Sequence, residues 1–173
     1  MRKLALLFTL MLLTGWPEFA YSGELFKSDE LKFEIEFPAK PTQQSITQTF
    51  TSGEAQVVRF KSIGKKLRPA ITVTVFARNA FTQIETAAGL QLSGQRQASQ
   101  FNGKIVSRTD LEVDGIAGKE TVIEGNSQGR TFFYRAQTFY AGNRQYVLSV
   151  AAERLESVTA PADSYFASFK LWE

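Results

Sequence analysis

Between residues 118 and 153 the chain reads as three strands in meander order, and the middle strand has no wet face. Residues 130–140 put Phe132, Tyr134 and Ala136 on one side and Phe133 and Phe139 on the other. A strand with one face in water alternates apolar and polar residues. This one is therefore expected at the centre of a sheet, covered on both sides. Turn chemistry brackets it, from Gly125 to Gly129 before it and at Gly142-Asn143 after it.

The remaining strands are legible from the same period of two. Phe33, Ile35 and Phe37 alternate with charged residues, as in a strand buried on one face, and Pro38 and Pro41 stop it. Residues 45–51 and 55–63 read as a hairpin around Ser52-Gly53-Glu54. Residues 70–78 form a further strand with Ile71, Val73 and Val75 inward. Residues 104–113 lead through Asp114-Gly115 into the meander.

Two helices are expected. The first spans 82–100, opened by a Thr82/Glu85 capping box, with Ile84, Ala88 and Leu92 as its inward stripe. Gly89 and Gly94 each cost such a helix about 1 kcal/mol against alanine, so packing has to hold it. The second spans 161–169, with Pro161 at its first position and Ala162, Tyr165, Phe166 and Phe169 facing in. The tail at 169–172 is expected to pair at a sheet edge. Together these segments predict an α+β fold, an α/β/α sandwich whose central, mainly antiparallel sheet of about seven or eight strands is covered by helices.

Residues 1–22 read as a signal peptide, with Arg2 and Lys3 ahead of an apolar run at 4–13 and cleavage expected between Ser22 and Gly23. That run is about half the roughly 20 residues a membrane span needs. With no cysteine after it, there is no lipoprotein anchor. Residues 23–173 are then expected to form one soluble domain, periplasmic or secreted, with no transmembrane anchor after cleavage. The formal charge of +3 falls to +2 in the mature chain, because Arg2, Lys3 and Glu18 leave with the leader. So mild and dispersed a charge gives no reason to expect a nucleic-acid partner.

The chain contains neither cysteine nor histidine. It therefore lacks a thiol nucleophile, the usual general base at neutral pH and the commonest metal ligand. No phosphate-binding Gly-Lys-Ser loop or Gly-x-Ser-x-Gly elbow occurs. Asp110, Glu112, Asp114 and Gly115 resemble the start of a calcium loop, but its twelfth position is Thr121 where a bidentate glutamate belongs. The wet face of a half-buried strand explains the same acids. Glu34 and Glu36 share one strand face without an implied pocket, which argues against a glycosidase dyad. Residues 129–135 carry aromatics in a pattern loosely like an RNA-stacking strand, for which core packing is the simpler account. The densest basic cluster, Lys61, Lys65, Lys66 and Arg68, is ordinarily a solvated turn; its functional alternative is a docking surface for an acidic partner or membrane headgroups.

Several short motifs, taken in order, resemble a known family. The opening at 26–41, FKSDELKFEIEFPAKP, is similar to the FxS…FxIxFPxxP start of small exported bacterial proteins with a PsbP-like fold. Residues 113–120, VDGIAGKE, resemble their vdGxxGxE turn. Residues 144–150 and 165–169 resemble their RxYxLxV strand and closing FFxSF helix. The resemblance implies an antiparallel sheet between helices. Family members of known role bind other proteins, as the photosystem II extrinsic subunit and a Ran-binding relative do, but no residue set for either role is present here. The expectation is a non-catalytic exported accessory protein that binds another protein, with no cofactor and no metal. The alternative is a small-ligand carrier using a cleft between the sheet and the first helix, which would need an apolar pocket of about 300 Å³ or more with converging polar groups.

Overall fold

The structure is a computed structural model that describes residues 23–50, 53–63, 70–77 and 83–172. Along the chain run β1 (Glu24–Ser28), β2 (Phe33–Phe37), β3 (Thr42–Phe50), β4 (Gly53–Ile63), β5 (Ala70–Ala77) and α1 (Gln83–Gln100). Then come β6 (Lys104–Val113), β7 (Ile116–Ser127), β8 (Arg130–Ala141), β9 (Arg144–Ala152), α2 (Leu155–Val158), α3 (Ala160–Ala167) and β10 (Lys170–Leu171). The leader segment 1–22, and with it the signal-peptide expectation, lies outside the described residues, as does Thr82 of the capping box.

Seven strands form one antiparallel sheet in the order β3-β4-β5-β9-β8-β7-β6. The strand without a wet face is β8, and it lies between β7 and β9. Ala136, Gln137, Thr138 and Phe139 are all buried, and Phe132 and Phe133 are half-buried on opposite faces. The tight turns match their residues. Asp114-Gly115 has φ of 51° and 79°, and Gln128-Gly129 has 52° and 78°. Positive φ at both central residues is the hairpin turn whose twist suits the flanking strands.

One face of this sheet carries Val58, Phe60, Val73, Val75, Leu148, Val150 and Phe139, which belong to the main hydrophobic cluster. The sequence reading expects helices over it, and here a correction is needed. The layer on this face is a second, three-stranded antiparallel sheet, β1-β2-β10, joined by α2 and α3. Phe33, Ile35 and Phe37 of β2 are fully buried in the shared core. The reason is chemical: β2 offers three large apolar side chains on one face, and only a broad apolar surface can take them up. α2 is a further helix, on a short stretch, 155–158, with no helical repeat to announce it.

The opposite face is covered by α1, which packs on β6, β7 and β8. Its buried side is also not the one expected. Ala88 is exposed and Leu92 is 39% exposed, whereas Gly89, Ser93, Gly94 and Ala98 are buried. A methyl at Gly89 would run into the Tyr140 hydroxyl, and one at Gly94 would lie 2.8 Å from Thr121 Cγ2 and Oγ1. The two glycines that weaken the helix are the ones that let it lie close to the sheet.

Candidate partner-binding edge

The family-like motifs are taken up by the fold itself. Tyr146 is buried and its hydroxyl donates to the Leu31 carbonyl at 2.8 Å, while Arg144 Nη2 donates to the Glu30 carbonyl at 3.0 Å. Together they clamp the β1–β2 turn to β9. Burial pushes the Tyr146 phenol above its ordinary pKa, against the nearby Arg144 charge, so it stays a neutral donor. Asp114 Oδ2 accepts from the Leu171 amide at 3.0 Å and ties β10 to the β6–β7 turn. Ser168 Oγ accepts from the Glu36 amide at 3.0 Å, and Phe169 packs on Phe33, Phe139 and Tyr146.

One charged cluster is partly buried in this layer. Arg135 meets Glu120 at 2.9 Å and Asp163 at 2.6 Å, donates to the Val158 and Thr159 carbonyls, and lies 4.9 Å from the centre of the Phe166 ring. Burial works against its charge, but the two carboxylates outweigh it and raise its pKa. Glu120 also accepts from Gln137 Nε2 at 2.8 Å. The cluster fastens the start of α3 to β8. Its charges are paired with one another through the two terminal nitrogens of Arg135.

The other candidates separate in the same way. Glu34 pairs with Lys170 at 2.6 Å and does not face Glu36 across a cleft. Asp110 pairs with Lys119 at 2.5 Å, and no cluster of potential metal ligands occurs among the described residues. The aromatics of the RNA-like stretch are in use, because Phe132 and Tyr134 pack on Phe101 at the end of α1, at 5.3 and 4.8 Å. Of the basic cluster, Lys61 is exposed on β4, and Lys65, Lys66 and Arg68 lie outside the described residues.

Among the described residues, depressions large enough to hold a small molecule include the following two. One of about 590 Å³ lies between α1 and β6–β7, where the sequence reading places a carrier cleft, with Ala88, Leu90, Leu111 and Gly118 in its lining. Its charged groups, Asp110 and Lys119, are paired with each other. The second, about 390 Å³, lies among Lys27, Glu34, Asp114, Lys170 and Trp172. There Lys170 holds Glu34, and Lys27 sits over the Trp172 ring at 5.2 Å.

Among the described residues, the sheet also offers an open edge. The seven-stranded sheet ends at β6 on one side and β3 on the other. β6 is guarded. It carries Lys104, Arg108, Asp110 and Glu112, has a register shift between Ile105 and Ser107, and is tied to α1 by Arg108 donating to the Gln91 carbonyl. Charges and bulges of this kind keep an edge from recruiting another strand. β3 reads TQQSITQTF: nine residues with no charge, no proline and no register shift against β4. Residues 42–49 are all exposed. The sequence reading sees this strand only as half of a hairpin, and the missing signal was compositional: a β-prone run with no charged residue in it.

No family model and no curated protein matches the chain. Among solved structures it resembles cyanobacterial PsbP from Synechocystis sp. PCC 6803, at 9% identity over 93% of this chain and 99% of that one, with a TM-score of 0.62. It also aligns with a Pseudomonas aeruginosa protein of unknown function, a "putative regulator" (10% identity, 63% and 83% covered, TM-score 0.42). A Bacteroides thetaiotaomicron structure aligns at 13% identity, with 87% and 49% covered and a TM-score of 0.49. The last two are too distant to add to the first. The chain has the PsbP-like fold, at an identity that speaks for the fold alone.

Proposed function

We propose that this is an exported, non-catalytic accessory protein that works by binding another protein, and that the β3 edge is its binding surface. The observation that carries the proposal is the open, uncharged nine-residue edge strand, set in a sheet whose other edge is charged and bulged. An unpaired edge offers a row of backbone donors and acceptors to an extended segment of a partner. The absence of cysteine and histidine supports a non-catalytic role, and the n-region and apolar run at 2–13 support export. The test is affinity capture from periplasmic extract, comparing the native chain with a Ser45→Lys, Thr47→Lys double variant. Loss of the captured partner from the variant is the expected result. Recovery of the same partner at the same strength would remove β3 from the reading.

A second reading, a small-ligand carrier, draws on the depression of about 590 Å³ under α1. It predicts a bound small molecule in native mass spectra of protein purified gently from the periplasm. A mass equal to the bare mature chain would count against it. The charged groups of this cleft, Asp110 and Lys119, are taken up by each other, so the edge is the better-supported site.

A further inference from the structure

We propose that the strand received at the β3 edge is β3 of a second copy of the chain, in an antiparallel pairing centred on Ile46. The inference rests on the reading of β3 as the binding edge and names its occupant. The strand is self-complementary about that residue. A two-fold axis through Ile46 sets Ile46 against its counterpart, Ser45 against Thr47, Gln44 against Gln48 and Gln43 against Thr49. Hydroxyl pairs and amide pairs of this kind support one another across antiparallel strands.

The faces agree as well. Ile46 stands opposite Val57 of β4, and Gln44 opposite Arg59, so both lie on the face that α1 covers further along the sheet. Ser45 stands opposite Val58 on the other face. Two-fold pairing sets like face beside like face, so every matched pair falls on one side of the joined sheet. Other centres fit less well. Moving the axis to Ser45 sets Gln44 against Ile46 and brings Pro41 into the pairing. Moving it to Thr47 sets Ile46 against Gln48. Only the Ile46 centre pairs the strand end to end.

Charge argues the same way. A segment that carried a charge into this edge would find no countercharge between positions 42 and 50, whereas the strand itself brings none. Ile46, 47% exposed, is the one apolar side chain among residues 42–49 of this edge. On the two-fold axis it would be covered by its own copy.

The experiment is a charge-reversal pair at the axis. Sedimentation of the mature chain up to roughly 100 μM should give a dimer. Ile46→Lys and Ile46→Glu, each alone, set like charges opposite one another and should weaken dimerisation at least about tenfold. An equal mixture of the two should dimerise again, as a heterodimer, because the charges are now opposite. A dimer that ignores both substitutions, or a mixture that stays monomeric, would overturn the Ile46-centred pairing. A native chain that is monomeric throughout would also overturn it. If that monomer still loses a captured partner on Ser45→Lys with Thr47→Lys, self-pairing alone has failed and the edge reading stands. If capture is also unaffected, both have failed. Circular dichroism of each variant checks that the exposed position leaves the fold intact.

Discussion

The two faces of the seven-stranded sheet are held by different physics. On one, β1, β2, α3 and Phe169 beyond it bring large aromatic side chains into contact, with Phe33 lying against Phe26, Phe60, Tyr146 and Phe169 at ring separations of 5.6 to 6.2 Å. On the other, α1 meets the sheet through Gly89, Ser93, Gly94 and Ala98, and the bulk comes from Tyr140 and Thr121 below. The first face is stabilised by buried apolar area, the second by close approach. Substitutions should therefore act in opposite senses: removing bulk harms the aromatic face, and adding it harms the helix face.

The largest effect is expected at Phe33, which is wholly buried. Phe33→Ala should cost about 3–5 kcal/mol, read from the denaturant midpoint at unchanged slope. A loss below about 1 kcal/mol would mean the small sheet adds little and the faces do not differ as described. Next is Tyr146→Phe. It keeps the ring but leaves the Leu31 carbonyl without its donor, at a cost of about 1–3 kcal/mol. It should also soften the alkaline limb of stability. Burial raises the folded-state pKa of this phenol, so its contribution is full below the ordinary value of about 10 and is lost as pH rises through the folded value. Thermal melts of both proteins across that range would check the sign. A limb of equal steepness in the variant would place the titration elsewhere.

This contrast also explains what could be seen in the sequence. The alternation of Phe33, Ile35 and Phe37, the two-sided apolar strand β8 and the turn at Asp114-Gly115 are local signals with a fixed period, and the structure places each as read. The separate small sheet is not local, because it depends on β1 and β10 meeting β2 from opposite ends of the described chain. The α1 face was misread for a different reason. Helical periodicity assigns the apolar stripe to the interior, but Tyr140 and Thr121 already fill the space beneath the helix. Small residues therefore turn inward, and the bulkier Leu92 is left outside. The candidate site was less visible still. Asp110, Asp114 and Glu34, conspicuous in the sequence, are spent on ion pairs and a backbone contact. The open edge is marked only by charges that are missing.

A third prediction sharpens the helix side of the comparison. Gly94→Ala gains about 1 kcal/mol in intrinsic helix preference. The added methyl, however, meets Thr121 at 2.8 Å, and overpacking of that kind costs about 1–3 kcal/mol. A net loss of up to about 2 kcal/mol is expected. Thr121→Ala in the same chain removes both atoms the methyl would strike, so the double variant should lose less than the sum of the two single losses. Strict additivity would show that α1 does not rest where the geometry puts it.

The smallest effect is the most discriminating. Leu92 lies at the four-residue spacing that would make it part of a buried stripe, and a buried leucine cut to alanine costs about 2–5 kcal/mol. In the structure it is 39% exposed on α1, while its neighbours Ser93 and Gly94 are buried. The apolar area that Leu92→Ala removes is thus partly in water already, and little cavity is left behind. Alanine also has the better helix preference, by a few tenths of a kcal/mol, which offsets part of the loss. The two terms nearly cancel, and the denaturant midpoint should move by no more than about 0.5 kcal/mol in stability. A drop of about 2 kcal/mol or more would put Ala88 and Leu92 against the sheet. It would turn α1 by roughly a third of a turn and erase the contrast between a face packed by bulk and a face packed by its absence.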